Sequence, residues 1–521
     1  MPHAANLHPM RLLAAACLCM LLAAGARAQD LRLGTVAFPT SARSPEAQEH
    51  FRRGVAALHS FWYPVALEEF RAAAQAEPDF VMARWGEAMA HNHPVWGDPQ
   101  GTDAARQALA GLPAAPAGLT PRERGYLDAV RALYGPGEKP ERDRAYAAAM
   151  ERLSREHPDD LEAAAFHALA LLGIAYTASP PDAGAPRDGM PLRLRMRAAA
   201  IAQEVWRREP DHPGAAHYLL HAFDDPDHAV LALPAARRYA AIAPTAPHAL
   251  HMPSHIFLQL GMWPEAAASN EAAWRASRDA REPDFHSLHW LLYAHLQQGR
   301  GSDARPLLGA VREGIAGLAG GDLRGRVYGL YTQASMVATF LVEAGLWPEA
   351  GDLLPPEQQA APPQAGPEGS PYRSLAALAQ APAVFARGMA AAMTGSPEAA
   401  RRHAATLDDM RRQAAGAPVP FVAGMAPVLE IQALEIAAAA SAMDGDVDAA
   451  VGTMERATRL EERMPVPPGP PPLIKPSHEL FGEILLRAGR REEAARQFAT
   501  ALFRHPGRLA SLRGAEKASR P

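Results

Sequence analysis

A repeat period of roughly 34 residues constrains the fold of this chain more than any other feature of its sequence. Its last unit places small, large and helix-ending residues at fixed positions, namely Phe481, Gly482, Leu485, Gly489, Ala494, Phe498, Ala501 and Pro506. In the middle of the chain, Ala198, Ala202, Val205 and Pro210 recur one period later as Ala232, Ala236, Tyr239 and Pro244. Small residues let two helices approach closely, a large residue fills the groove between them, and proline ends the second helix. The period therefore predicts a stack of helical hairpins.

This pattern is that of the tetratricopeptide repeat, or TPR. The first unit shows it again, with Gly54, Ala66, Phe70, Ala73 and Pro78. A chain of 521 residues is too long for one compact core, which is consistent with an elongated array. We predict an all-α, TPR-type helical-hairpin solenoid that forms a right-handed superhelix.

The array is predicted to be uneven along the chain. Stretches rich in proline and glycine interrupt the period and are expected to be loops or spacers: 97–121, 179–191, 353–371 and 465–476. Within one solenoid over 29–521, we place N-terminal repeats at 45–178, central histidine-rich repeats at 192–300 and C-terminal repeats at 326–521.

Residues 1–28 have the features of a secretory signal peptide. Arg11 precedes an apolar run, and Ala26-Arg27-Ala28 forms a small-residue cleavage site. Both cysteines of the chain, Cys17 and Cys19, lie in this segment, so the mature chain contains no thiol. The sequence predicts a periplasmic or secreted protein with no membrane-spanning segment after signal removal.

Composition excludes several function classes. A formal net charge of −5 and 21% charged residues indicate an ordinary folded chain without a nucleic-acid-binding surface. The mature chain has no cysteine nucleophile, and neither a phosphate-binding loop nor a G-x-S-x-G elbow is present.

Histidines are concentrated in the central repeats. Eight of the 21 lie between His217 and His289, and HYLLH (217–221) and HMPSH (251–255) have the same spacing one period apart. Counted from the repeat prolines, these residues fall on the helix positions that face the concave groove, because residues three or four apart share one helical face. We predict a groove lined by His217, His221, His248, His251, His255, His286 and His289.

Two interpretations of this groove remain open, in addition to a third in which the protein is a scaffold whose groove has no chemical role. In the first, the groove binds a protein, a peptide or a small ligand. In the second, the imidazoles bind a transition metal such as zinc, copper or iron, and the protein is a metal-dependent hydrolase or oxidoreductase. The candidate metal ligands are His217, His221, His251, His255 and His289.

The second histidine pair contains a proline that bears on its geometry. Pro253 lies between His251 and His255, and it would kink the helix unless it falls in the first turn. Two residues outside the central repeats, His93 and Glu479, are further candidates for the groove, provided that the superhelix curls enough to bring its ends towards the middle.

Five segments carry a resemblance to a known family: 82–96, 217–229, 248–263, 284–300 and 475–486. Over most of its mature length the chain resembles a family of secreted bacterial TPR proteins of poorly defined function. The resemblance implies a TPR solenoid in the envelope of a Gram-negative-type cell, with these segments as its signature. It brings no reaction with it.

Overall fold

The computed structural model describes residues 31–95, 101–177, 190–279, 283–319, 322–354, 371–417 and 420–520, and among these the regular elements are helices without a β-strand. The chain is an all-α TPR-type solenoid, as the repeat period predicts. The expected signal peptide lies outside the described residues.

The described helices follow one another along the chain, and successive helices pack against each other as hairpins. Their bounds are α1 Pro45–His59, α2 Tyr63–Ala76, α3 Val81–Met89, α4 Thr102–Leu109, α5 Pro121–Leu133, α6 Lys139–Glu156, α7 Leu161–Thr177, α8 Met190–Arg208, α9 Pro213–Ala222, α10 Ala229–Ile242, α11 Pro247–His251, α12 Pro253–Gln259, α13 Trp263–Asp279, α14 Phe285–Gln297, α15 Gly301–Ala304, α16 Leu307–Ala316, α17 Leu323–Ala344, α18 Ala350–Leu353, α19 Pro371–Leu378, α20 Ala381–Met393, α21 Pro397–Ala415, α22 Pro420–Gly424, α23 Ala426–Met443, α24 Val447–Arg463, α25 Ser477–Arg487, α26 Arg491–Arg504 and α27 Leu509–Ser519.

The packing between the helices explains the small and large positions of the repeat. On α1 and α3, Gly54 and Gly86 face the buried ring of Phe70 on α2, and a methyl group on either glycine would lie 2.7 or 2.2 Å from that ring. The last hairpin repeats this arrangement, since Gly482 and Gly514 face the ring of Phe498 in the same way. The glycines therefore permit the close helix contacts that the repeat period predicts.

The predicted inserts have mixed outcomes. Segment 465–476 is a loop between α24 and α25, as expected. Segment 97–121 is not a continuous loop, because residues 102–109 form α4, whose Ala105 and Ala108 are buried. Most of 179–191 and of 353–371 lies outside the described residues.

Both ends of the chain contact the central repeats. Near the N-terminus, the backbone N–H of Thr35 donates to the carbonyl of Asp211 at 2.9 Å. At the C-terminal end, the indole N–H of Trp263 donates to the carbonyl of Gly507 at 2.9 Å. Residues near both ends of the described chain therefore pack against the central repeats.

Two stretches of the described chain are long and apolar enough to cross a membrane by length and composition alone. They are Leu375–Met393 and Val422–Met443, of which 67% and 50% are buried within the protein. A core helix of a repeat protein has the same character, so these stretches are weak evidence for a membrane span. The expected lack of a membrane-spanning segment stays a prediction.

Candidate metal centre

Six of the groove histidines are gathered in two groups of three. We call His217, His221 and His248 the first triad, and His251, His255 and His286 the second triad. In each triad, every residue offers one ring nitrogen, and these nitrogens lie within 4.8 Å of one another. This separation is compatible with three ligands around one ion.

The first triad is built by α9 and by the start of the next repeat. His217 and His221 are four residues apart on α9, so both rings lie on one face, and their Nε2 atoms are 3.1 Å apart. His248 of α11 brings its Nε2 to 3.1 Å from the Nε2 of His217. Two successive repeats thus supply the ligands, and the sequence-based metal prediction had not included His248.

The second triad spans a break between two short helices. The helix ends at His251 and restarts at Pro253, so the irregularity expected from this proline is present. The Nε2 atoms of His251 and His255 nevertheless lie 3.1 Å apart. His286, from α14 of the following repeat, completes the group, with its ring centroid 4.6 Å from that of His251.

Hydrogen bonds to the Nδ1 atoms determine which nitrogens of the triads have free lone pairs. Nδ1 of His217 lies 2.7 Å from the carbonyl oxygen of His59, which can only accept, so this nitrogen carries a proton. Nδ1 of His251 donates to Oδ1 of Asn270 at 2.7 Å, and the amide orientation is fixed because its NH₂ donates to Ala266 O. These rings are therefore oriented with Nε2 as the acceptor.

The same logic applies to His255, whose Nδ1 lies 2.7 Å from the carboxylate of Asp224. With protons on both Nδ1 atoms, His251 and His255 direct two Nε2 lone pairs at each other across 3.1 Å. Such a pair needs a proton or a metal ion between the nitrogens. Ligands about 2 Å from a tetrahedral metal ion lie roughly 3.3 Å apart, close to the separation found here.

Burial disfavours charged imidazoles at these positions. Desolvation lowers the pKa of His217 to about 3 and the pKa of His286 to about 4. It also holds the pKa values of His221, His248 and His251 well below the usual value for histidine. Neutral imidazole is the form that ligates metals, so burial favours ligation over protonation at His217, His221, His248 and His251.

Aromatic side chains enclose both triads. Phe61 packs on the first triad, with its ring centroid 4.3 Å from that of His217 and 5.5 Å from that of His248. Its φ of 52° is in the left-handed region, which is unusual for a residue with a side chain and often occurs at functional sites. Trp290 flanks the second triad, 4.4 Å from His255 by ring centroids.

A buried polar cluster lies next to the first triad. The sequence alone does not indicate this cluster. His59 bonds Tyr218 through Nδ1 at 2.7 Å and Glu162 through Nε2 at 2.6 Å, while His212 lies 3.3 Å from the same carboxylate. His59 and Glu162 are completely buried. Although this group also has three metal-type ligands, both ring nitrogens of His59 are already bonded, so we assign it a supporting role.

Of the remaining sequence-predicted residues, His289 lies outside both triads. Its Nε2 is 3.4 Å from the hydroxyl of Thr339 on α17. His93 packs on the ring of Tyr63 at 4.1 Å between centroids, and Tyr63 stacks on Phe61. His93 therefore approaches the first triad through two intervening aromatic rings.

Glu479 has a different environment from the predicted one. It is completely buried and accepts hydrogen bonds from Arg508 at 2.7 and 3.0 Å and from Lys475 at 2.9 Å. The repeat phase predicts a position in the groove for Glu479. Instead, internal ion pairs hold its carboxylate inside the C-terminal repeats.

Comparisons with known proteins agree with a loose likeness to TPR structures. No protein-family model matches the chain, and no curated protein matches it in sequence. Similar solved structures include yeast Tom70, with 10% identity, coverage of 91% of this chain and 89% of that one, and a TM-score of 0.32. Another is the APC/C complex Cut9-Hcn1, with 12% identity, coverage of 98% and 83%, and a TM-score of 0.33.

The TPR domain of P58(IPK) is a third similar structure, with 11% identity, coverage of 91% and 97%, and a TM-score of 0.22. Likenesses this low carry no argument about function, and the assignment to a TPR-type repeat scaffold rests on the repeat period and the helical hairpins. The secreted bacterial family stays a prediction.

Proposed function

We propose that the protein is an exported TPR-type scaffold that binds transition-metal ions at its two histidine triads. The observation that carries the proposal is the pair formed by His251 and His255. Their Nε2 atoms face each other at 3.1 Å, while both Nδ1 atoms are engaged by Asn270 and Asp224. Partners on Nδ1 that orient a ring towards a metal are typical of histidine ligands in proteins.

Burial favours a metal ion over a peptide as the ligand of these imidazoles. His217 is 0% exposed and His251 is 2% exposed, so a peptide in the groove could not reach them without rearrangement. A metal ion needs only the space between the ring nitrogens. His255 and His286 are less buried, and they give the second triad a route from solvent.

The donor set defines which metals fit. All six ligands are imidazoles, which suit zinc, copper, iron and nickel. Three protein ligands leave a fourth position for water or another small ligand, as in catalytic zinc sites. This open position is compatible with a metal-dependent enzyme. No described residue indicates which reaction such an enzyme would catalyse.

Metal loading tests the proposal directly. After dialysis of the mature protein against zinc and removal of loosely bound ions, we expect two ions per chain by elemental analysis. The double variants His217→Ala/His221→Ala and His251→Ala/His255→Ala should each retain one ion, because each loses two of three ligands of one triad. His289→Ala, which changes a groove histidine outside the triads, should still bind two.

Circular dichroism on the same samples checks that each variant remains helical. Wild-type protein that is helical and retains neither zinc nor copper after loading would refute the proposal. Equal metal content in the wild type and both double variants would also refute it, because the ions would then lie elsewhere.

Asp224 provides a prediction about the second triad alone. Asp224→Asn removes the charge that orients and polarises His255, so we expect a 10- to 100-fold weaker metal affinity at the second triad. The neighbouring Asp225 bonds Arg195 and His228 instead, which makes Asp225→Asn a matched control. Fluorescence of Trp290, 4.4 Å from His255, can follow the titration. Equal losses in the two variants would contradict the predicted role of Asp224.

A further inference from the structure

The two triads are close enough to act together. His248 of the first triad and His251 of the second belong to the same short helix, α11, and their ring centroids are 6.3 Å apart. Asp224 also links the two triads. It follows the helix that carries His217 and His221, and its carboxylate accepts a hydrogen bond from Nδ1–H of His255. Ions in the two triads would therefore be neighbours along the groove.

The charges around the first triad favour a monovalent ion. The first triad offers three neutral imidazoles, and the group that fixes His217 is a backbone carbonyl rather than a carboxylate. The cost of burying an ion rises with the square of its charge, so neutral ligands in a dry site stabilise a singly charged ion more readily than a doubly charged one. Among the metals that imidazole suits, copper has a common monovalent state, and three imidazoles satisfy its low coordination number.

On these grounds, and given the metal sites proposed above, we infer that the two triads bind a pair of copper(I) ions that reacts with dioxygen as one unit. Each copper(I) ion gives up one electron and becomes copper(II). Dioxygen gains both electrons and becomes a peroxide bound between the ions, so that its O–O bond order falls from two to one. The step uses no proton and no additional reductant.

The surroundings fit this chemistry. Dioxygen is small and apolar, and the aromatic rings of Phe61 and Trp290 line the first and the second triad, respectively. His248, His255 and His286 are not fully buried, so each triad has a ring that dioxygen can reach from solvent. The buried rings of the other three triad histidines limit the contact of the bound peroxide with water.

Electron paramagnetic resonance tests the inference. The mature protein is loaded without oxygen with copper(I) alone, to two ions per chain, and is then exposed to dioxygen. Because two neighbouring copper(II) ions bridged by one ligand couple their spins, we expect a new near-ultraviolet absorption band and an integrated signal from only a small fraction of the total copper. A signal that accounts for both ions would overturn the inference, since it would show isolated sites.

Matched variants distinguish a coupled copper pair from isolated copper sites. His221→Ala weakens the first triad, and the remaining copper, once oxidised, should give a full, uncoupled signal without the absorption band. His289→Ala should behave like the wild type. The inference alone fails if zinc loading gives two ions per chain while the oxidised copper stays uncoupled, and the proposed function itself fails if neither zinc nor copper is retained.

Discussion

Replacing Glu479 by glutamine is expected to destabilise the C-terminal repeats by about 3–5 kcal/mol, the loss typical of a broken buried ion pair. Glu479 and Arg508 are both 0% exposed, and they form two hydrogen bonds of 2.7 and 3.0 Å. Lys475 and Ser511 bond the same carboxylate. Glutamine would remove the charged partner that Arg508 and Lys475 share, leaving them Glu343 and Glu483, and its NH₂ group would face their N–H donors.

The electrostatics of this cluster agree with that expectation. Burial alone would raise the pKa of Glu479, but Arg508 and Lys475 hold it below the usual range of a glutamate. Arg508 also lies 2.6 Å from Glu343 of α17 and donates to the hydroxyl of Tyr293 on α14 at 3.0 Å. One guanidinium therefore joins the last repeat to the central repeats, and its charge balance depends on Glu479.

Chemical denaturation followed by circular dichroism measures the loss. The matched control is Glu271→Gln, which removes the exposed pair of Glu271 with Arg275, four residues away on α13. Pairs of this kind contribute about 0.3–0.5 kcal/mol, so the control should shift the transition only slightly. Similar shifts for the two variants would show that the internal ion pairs add no more than a surface pair.

Much of the fold could be predicted from the sequence because the repeat encodes helix contacts locally. A glycine such as Gly482 and a ring such as Phe498 meet across one hairpin, within a few turns of chain, so their spacing alone predicts the packing. Contacts between distant repeats are different in kind. Nothing in the spacing of Arg508 and Tyr293 predicts their hydrogen bond, because it depends on the curvature accumulated over many hairpins.

The same distinction explains the partial success of the site prediction. The pairs His217/His221 and His251/His255 follow from helical periodicity, and the structure gathers each pair as expected. The third member of each triad comes from the first helix of the next repeat, as His248 and as His286. Both residues lie at the same position of successive repeats. This shared position could have predicted them as metal ligands, but the metal prediction named His289 instead.

Other parts of the site have no counterpart in the repeat pattern. Phe61 reaches the first triad from a turn with a positive φ, a conformation that sequence does not indicate for phenylalanine. His59 and Glu162 are more than a hundred residues apart and meet because α1 and α7 pack around the same core. Their contribution to the orientation of His217 depends on tertiary structure alone.

The metal-free protein should lose stability steeply as the pH falls below about 6.5, the usual pKa of histidine in an unfolded chain. Burial lowers the pKa of His217 to about 3 and those of His167 and His289 to about 4. Between pH 6.5 and 4 the unfolded chain therefore binds a proton at each of these sites while the folded chain does not. The free energy of unfolding falls with decreasing pH over this window and is fully retained above it.

Each such histidine contributes up to about 1.4 kcal/mol per pH unit, so these three together can remove several kcal/mol per unit. Total stabilities of about 5–15 kcal/mol would not withstand this loss, and we expect unfolding near pH 5. Thermal midpoints of chelator-treated protein from pH 8 to pH 5 measure the dependence. His289→Gln removes one of the three groups and should flatten the slope by about one proton, whereas a midpoint that stays constant from pH 7 to pH 5 would contradict the neutral, buried state of these histidines.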